Sequence, residues 1–351
     1  MTRSALKVAA RDLVKKLHQE EDADIRIGLV PYGEQINVGL ANRNASWLSV
    51  PDDYSSSKTT TKTTGGGCYQ PTTTTNVCKR WTEAGSRQVE RDGEWFTETW
   101  SRHCSEYKRV NSGPKICSEP TTTTTTTVTA YKWYGCVGSR VANKRLVLDD
   151  LSPSIPYPGF VVNDKVQRCL TEIVPLTGEE STIQNAVAGM ITSRSGYTPQ
   201  TYIPAGLMWG INVLSKEQPY NQGLEYDAAN QKPRKVIVLM TDGLNTRRVN
   251  LKGTLNVDYL KGSDFIGDTT SANSEERVET NEDTTTLCNY AKSKMIEIFT
   301  VAFKVDDGPA KTMLQDCATD AQHYYDASDP AALMAAFSGI AQSLSQVRLA
   351  R

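Results

Sequence analysis

The sequence predicts an α/β fold built on an open, doubly wound, mostly parallel sheet, and three observations carry that prediction. Segments of helical and strand periodicity alternate in the order helix, strand, insertion, helix, strand, helix, strand, helix, strand, helix. Alternation of this kind places a mostly parallel sheet between two layers of helices. The run Val236-Ile-Val-Leu-Met240, bounded by Lys235 and by Thr241-Asp242-Gly243, is a short uninterrupted apolar stretch. Such a stretch is what a strand buried on both faces requires. Asp242 stands at the carboxyl end of that strand, the edge where open α/β sheets hold their ligands, and a carboxylate there suits a hard cation such as Mg²⁺.

Residues 3–19 read as a helix: Leu6, Ala9, Ala10, Leu13, Val14 and Leu17 recur at three- and four-residue spacing, with Lys and Arg on the opposite face. Ile25, Ile27 and Leu29 alternate with Arg26 and Gly28 as a strand that ends at Pro31, and Ile36 to Leu40 suits a second short strand. Residues 1–40 thus form the first helix and strand of the α/β domain.

From 41 to 174 the texture changes. Thr59–Thr64, Thr72–Thr75 and Thr121–Thr127 are low-complexity tracts expected to be mobile loops. Six of the eight cysteines lie here, with Trp47, Trp81, Trp95, Trp100 and Trp133. The segment reads as a disulfide-stapled insertion of loops and short strands, its tryptophans filling a small core. An aromatic surface for a glycan or other partner is the competing reading.

The α/β pattern resumes over 175–351. Ser181–Ile191 suits a helix with Ile183, Val187 and Met190 on one face. A further helix begins near Pro204, since proline suits a first turn, and Leu207, Ile211 and Leu214 line one side. Gly206 and Gly210 would let this helix approach its neighbour closely. Thr201 stands just before it, where a hydroxyl can reach a cation or cap the helix amides. After the central strand, Asn245 to Asp283 reads as a polar excursion. It is followed by a helix over Thr284–Lys294, a strand over Ile296–Phe303, a short helix over Lys311–Ala318 and a last strand at His323–Asp326. Asp329-Pro330 opens a final helix with Leu333, Phe337, Ile340, Leu344 and Val347 in one stripe.

The chain of 351 residues is long enough for a full core, and its net charge of −1 gives no general case for nucleic acid or an anionic membrane. No run reaches the ~18 apolar residues of a membrane span. The start lacks the pattern of a signal peptide. The eight cysteines, Cys68, Cys78, Cys104, Cys117, Cys136, Cys169, Cys288 and Cys317, contain no Cys-x-x-Cys pair, which argues for disulfides rather than zinc and hence for an oxidising compartment. A disulfide-bonded chain without an export signal is expected to have a further N-terminal segment. Cys288 and Cys317 lie in adjacent helix–strand units and are expected to pair; the other six allow many connectivities.

Catalysis finds little support. His18, His103 and His323 are the only histidines. The adjacent His103-Cys104 does not aim a nucleophile at its base, and no Gly-rich phosphate loop or nucleophile elbow appears.

Six segments carry a resemblance to known families. Gly196-x-Thr198-x-x-Thr201-Tyr-Ile-Pro-Ala-Gly206-Leu-x-Trp-Gly210 and Val236-Ile-Val-Leu-Met-Thr-Asp242-Gly-Leu-Asn245 resemble the second and third parts of the metal-ion-dependent adhesion site of a von Willebrand factor A domain. Ser4-Ala-Leu-Lys-x-Ala-Ala-x-x-Leu-Val14, Arg26-Ile-Gly-Leu-Val-Pro-Tyr32, Trp133-Tyr-Gly-Cys136-Val-Gly-Ser-Arg140, and the tail from Cys317-Ala-x-Asp-x-x-His-Tyr-Tyr-Asp-Ala327 to Arg351 are similar to TadG-like (TadE/TadG family) proteins of bacterial tight-adherence (Flp-type) pilus systems. The resemblance implies a cell-envelope protein facing the periplasm or exterior, anchored in the membrane upstream of residue 1. Its role would be pilus assembly or adhesion through a protein partner. Thr201 and Asp242 would be metal ligands, Thr201 direct or through water and Asp242 through water.

The sequence departs from the family at its start. The Asp-x-Ser-x-Ser motif that should end a strand directly before the first helix is absent, so the first central strand is expected to be missing, between Ile25–Val30 and Val236–Met240. Loss of a central strand should compromise the fold badly, and Thr201 with Asp242 alone should bind Mg²⁺ weakly or not at all. Asp150-Leu-Ser152-Pro-Ser154 is a literal match to the missing motif, but Pro153, Pro156 and Pro158 forbid the helix that must follow it. The alternative reading is a glycan- or cell-wall-binding module that uses the Cys/Trp-rich insertion.

Overall fold

A computed structural model describes residues 2–19, 24–70, 74–111, 114–151, 153–163, 169–193, 198, 200–230, 232–249, 265–266 and 275–346. Ser152, Val347, the Gly196 end of the first adhesion-site segment and the tail at Arg351 lie outside them, as do Thr72 and Thr73. Along the chain run α1 (Thr2–His18), β1 (Ile27–Leu29), β2 (Tyr54–Thr64), β3 (Thr121–Val137), β4 (Val174–Thr177), α2 (Glu180–Gly189), α3 (Ile203–Leu214), β5 (Lys235–Thr241), α4 (Glu275–Ser293), β6 (Ile296–Phe303), α5 (Gly308–Cys317), β7 (Tyr324–Ala327) and α6 (Pro330–Gln346). These divide into two units, Met1–Ser56 with Thr129–Arg351, and Ser57–Val128.

In the larger unit β5, β6 and β7 form a parallel sheet, with Lys235 opposite Ile296 through Thr241 opposite Ala302, and Thr300 opposite Tyr324. Helices cover both faces. Leu207 and Ile211 of α3, Leu287 of α4 and Leu314 of α5 pack in one cluster, and Leu13 of α1 with Leu333, Phe337 and Ile340 of α6 in another. The helix ends follow from local chemistry. Asp307 accepts a hydrogen bond from the Ala310 amide (2.8 Å), and Asp329 accepts from the amides of Ala331 and Ala332 (2.8 and 2.9 Å), satisfying donors that the first turns of α5 and α6 leave open.

The helix expected over Thr284–Lys294 begins nine residues earlier, at Glu275. Its buried positions, Arg277, Thr280, Thr284, Leu287, Cys288 and Ala291, keep helical spacing, but three of them are polar, so hydrophobic periodicity does not reveal the first turns. The hydroxyls of Thr280, Thr284 and Thr285 donate to carbonyls four residues back (2.6, 2.9 and 3.1 Å), and the Arg277 guanidinium donates to both Asp307 oxygens (2.6 and 2.7 Å).

The larger unit holds several small sheets rather than one open doubly wound sheet, and β1 and β5 lie in different ones. Among the described residues, β1 pairs antiparallel with β4 alone, and β5 pairs with β6 alone. The two edges without a strand neighbour line one cavity of 2220 Å³, whose walls include Leu29, Val236 and Val238, with Leu13 of α1 and Leu207 and Gly210 of α3. β5 is therefore not buried on both faces as expected: Val236, Val238 and Met240 are half-buried because the cavity opens on them.

The smaller unit is narrower than the expected insertion of 41–174. Trp47, Trp133 and Tyr157, which flank it in sequence, are buried in the core of the larger unit. There Trp209 of α3 packs against Tyr157 and Trp47, with ring centroids at 4.7 and 6.0 Å. Ser57–Val128 consists of two-stranded ribbons, Thr74–Thr82 with His103–Asn111 and Gly85–Arg91 with Glu94–Trp100, together with paired stretches of β2 and β3. Asp92-Gly93 turns the second ribbon with φ of 56° and 85°, the backbone that a tight hairpin demands.

Two expectations fail in this unit. The Thr59–Thr64 and Thr121–Thr127 tracts are strand, not mobile loop. Trp81, Trp95 and Trp100 fill no core: they are 50%, 68% and 38% exposed, since a single two-stranded ribbon has no second layer to cover them. The disulfides are Cys68–Cys117 and Cys78–Cys104 in this unit, and Cys136–Cys169 and Cys288–Cys317 in the larger one.

Candidate functional site

Three loops meet at the carboxyl end of the broken sheet: the exit of β1, the approach to α3 and the exit of β5. Backbone and side-chain hydrogen bonds join them. The Thr246 amide donates to the Thr201 carbonyl (2.9 Å), and the Thr201 amide donates to the Thr246 hydroxyl (2.9 Å). The Tyr202 amide donates to the Gly33 carbonyl (3.2 Å), and the Gln200 amide to a Glu34 carboxylate oxygen (3.3 Å). Glu34 is buried and faces the Arg247 guanidinium at 3.7 Å.

The first turn of α3 needs an acceptor and takes one from outside the helix: the Ile203 amide donates to Asn245 Oδ1 (2.8 Å). The capping role weighed for Thr201 thus falls to Asn245, which is fully buried and donates to Asn281 Oδ1 (3.0 Å). At the exit of β5 the Thr241 hydroxyl donates to the Gly243 carbonyl (2.9 Å), forming the sharp turn that leaves Asp242 exposed.

Tyr32 bridges the gap in the sheet. Its hydroxyl donates to the Met240 carbonyl of β5 (2.8 Å), and its ring lies so close to α3 that a Cβ on Gly206 would stand 2.6 Å from the ring. Gly206 therefore allows a close approach, though to a loop tyrosine. Gly210 meets Ile237 of β5 only at ordinary contact distance, 3.6 Å. Burial, reinforced by the nearby Asp242 carboxylate and opposed by the Thr241 hydroxyl, pushes the Tyr32 hydroxyl well above its ordinary value.

Thr201 and Asp242 both line the cavity. Of the about six oxygens that Mg²⁺ takes, water can supply several, and of the two residues expected as ligands Asp242 offers a carboxylate and Thr201 a hydroxyl. Thr241 is engaged with Gly243, and Glu34 with Gln200 and Arg247. Among the described residues no three His, Cys, Asp or Glu side chains gather as a metal group. Asp150, of the literal Asp-x-Ser-x-Ser match, lies elsewhere and accepts from Ser215 and Tyr290 (both 2.5 Å).

The histidines are engaged in local contacts. His18 bonds to the Val14 carbonyl (2.9 Å), His103 to the Ser101 carbonyl (3.1 Å) and His323 to Asp320 (2.7 Å). Cys104 is tied to Cys78. Sequence reasoning missed Tyr32, Asn245 and Thr246. Each sits at or just beyond the carboxyl end of a strand, the one positional signal that could have marked them.

No family model matches the chain, and no curated protein sequence matches it. Among solved structures, the chain is similar to the pilus adhesin SpaC from Lactobacillus rhamnosus GG at 16% identity and a TM-score of 0.33, covering 49% of this chain and 22% of that one. It is similar to the vWF domain of the type V pili tip protein Mfa5 from Porphyromonas gingivalis at 17% identity and a TM-score of 0.33, covering 49% and 75%. Proximal thread matrix protein 1 from the mussel byssus follows at 14% identity and 0.30, covering 49% and 34%. The chain thus spans about a fifth of the length of SpaC.

Proposed function

We propose that this chain is the A-type domain of a cell-envelope protein of the TadG-like kind, which acts in pilus assembly or surface attachment by binding a protein partner and performs no catalysis. The observation that carries the reading is the joining of the two segments that resemble the adhesion site. Thr201, Asn245 and Thr246 are bonded into one platform at the carboxyl end of the sheet, with the Asp242 carboxylate exposed on it. A platform held by paired amides is pre-organised, so a partner meets it without ordering a loop. Four disulfides suit an envelope or extracellular setting, and among the described residues no helix is long and apolar enough to cross a membrane. The test is binding of the purified chain to immobilised pili sheared from the source cells. Asp242→Ala should weaken that binding about tenfold or more; unchanged affinity would remove the platform from the reading.

Exposed aromatic side chains favour a second reading, a glycan- or cell-wall-binding module. Trp81, Trp95, Trp100 and Tyr107 lie exposed on the ribbons of Ser57–Val128, and such rings offer flat apolar faces near polar groups; the Gln88–Thr97 pair (2.8 Å) stands two residues along the ribbon from the Glu90–Trp95 pair. A glycan-array signal that survives Asp242→Ala and disappears in Trp95→Ala would favour this reading over the first.

A further inference from the structure

The Thr tracts pair with each other. Within Ser57–Val128, the β2 and β3 stretches form an antiparallel ribbon whose hydroxyls meet in a ladder: Thr59 with Thr126 at 3.1 Å, Thr61 with Thr124 at 3.5 Å and Thr63 with Thr122 at 3.2 Å. Every residue of Ser57–Thr64 and Thr121–Val128 is exposed. Among the described residues, no strand other than β2 pairs with this part of β3.

A ribbon of two strands has two outer edges, and each edge offers alternating amides and carbonyls to any further strand. The edges here differ in one respect. β2 carries Lys58 and Lys62, charges of the kind that keep an edge from being paired, because a strand laid against it would bury or oppose them. Along Thr121–Val128 of β3 there is no charge, no glycine and no proline, only β-branched residues suited to a strand.

We propose that the Thr121–Val128 edge pairs with the same edge of a second copy of this chain. A two-fold axis through Thr124 sets Thr121 opposite the second copy's Thr127 and Thr122 opposite its Thr126, and the two ribbons become one four-stranded antiparallel sheet. The uniform side chains make the edge self-complementary, as an isologous interface requires. A slip of two residues still sets Thr against Thr, so the register is held loosely. Growth stops at two copies, because the outer edges of the joined sheet are both β2, and both carry Lys58 and Lys62.

Sedimentation equilibrium of the full chain tests this. The expected result is a species of twice the 38.7 kDa chain mass that dissociates on dilution. Thr124→Lys gives this edge, in any register, a charge of the kind that protects the β2 edge, and should raise the dimer dissociation constant by about tenfold or more. Thr61→Lys adds the same charge to the β2 edge and should leave the dimer intact, which controls for any general effect of a lysine on the ribbon. Lys58→Thr with Lys62→Thr opens the second edge and should yield species larger than a dimer. A wild-type chain that is monomeric at its solubility limit, a dimer indifferent to Thr124→Lys, or open-ended assembly of the wild type would each overturn the proposal.

Discussion

The Cys288–Cys317 bridge should contribute substantially to the stability of the larger unit, and its removal gives a calculable loss. The bridge joins α4 to α5 across 29 residues, and both cysteines are fully buried against β6. Closing a loop of that length in the unfolded chain removes conformational entropy equivalent to about 3.5 kcal/mol at 25 °C. Cys288→Ala with Cys317→Ala should lose about that much, and the space left by two buried sulfurs adds to it. For a unit of 279 residues, 56 in Met1–Ser56 and 223 in Thr129–Arg351, the loss corresponds to a fall in Tm of roughly 6 °C. Urea denaturation followed by tryptophan emission reads the larger unit through Trp47, Trp133 and Trp209, all buried there. Cys78→Ala with Cys104→Ala is the matched control, since its loop of 26 residues carries nearly the same entropy but lies in Ser57–Val128. A loss below about 1 kcal/mol, or an equal effect of both double variants on the buried tryptophans, would refute the reasoning.

Three further outcomes are expected. An N-terminal extension that places a seven-residue apolar strand ahead of α1 should fill the gap between β1 and β5 and raise the urea midpoint; no rise would mean that the cavity does not accept a strand. Asp307→Ala takes the carboxylate from the buried Arg277 and the cap from α5, and should cost about 3–5 kcal/mol in the same assay, whereas a loss near 1 kcal/mol would reduce Asp307 to an ordinary cap. Asp283 is pushed up to about 6 by burial, with Glu282 adding and Arg248 opposing. A carboxyl raised on folding binds its proton more tightly in the folded state, so its contribution is full below its unfolded value near 4 and is lost as pH rises through about 6. Asp283→Asn should therefore stabilise the chain at pH 7.5 by about 1–2 kcal/mol, allowing for solvent screening, and leave it nearly unchanged at pH 4; equal midpoints at pH 7.5 would contradict this.

Much of the larger unit is legible from the sequence where burial and hydrophobicity coincide. β6 occupies Ile296–Phe303 as its β-branched and aromatic run predicts, and α3 starts beside Pro204. The separation of β1 from β5 is expected only through the family resemblance, whose Asp-x-Ser-x-Ser motif the sequence lacks before α1, and not from the strand-like segments themselves. Legibility ends where burial is achieved by polar residues. The first turns of α4 bury Arg277, Thr280 and Thr284, each matched to a carboxylate or a backbone carbonyl that is distant in sequence or hidden within the helix itself. The site shows the same limit. Thr201 and Asp242 stand out by position, but the bonds that make the platform come from Asn245 and Thr246, and the plug in the sheet gap is Tyr32, about 200 residues from the strand it touches.

The Thr tracts were misjudged for a reason that their chemistry explains. Low complexity is evidence of disorder when a segment has nothing to pair with, since hydroxyls alone do not offset the entropy of ordering a chain. Two such tracts in one chain are a different case. Threonine is β-branched, which favours extended backbone, and its hydroxyl can bond to a threonine directly across an antiparallel pair. Thr59, Thr61 and Thr63 meet Thr126, Thr124 and Thr122 in this way. The disulfide between Cys68 and Cys117, just beyond the ends of the tracts, holds the two strands together and limits the register error that a uniform sequence would otherwise permit. A repetitive strand is thus ordered by the covalent bond beside it, and the edge it leaves open is the one the two lysines of β2 do not protect.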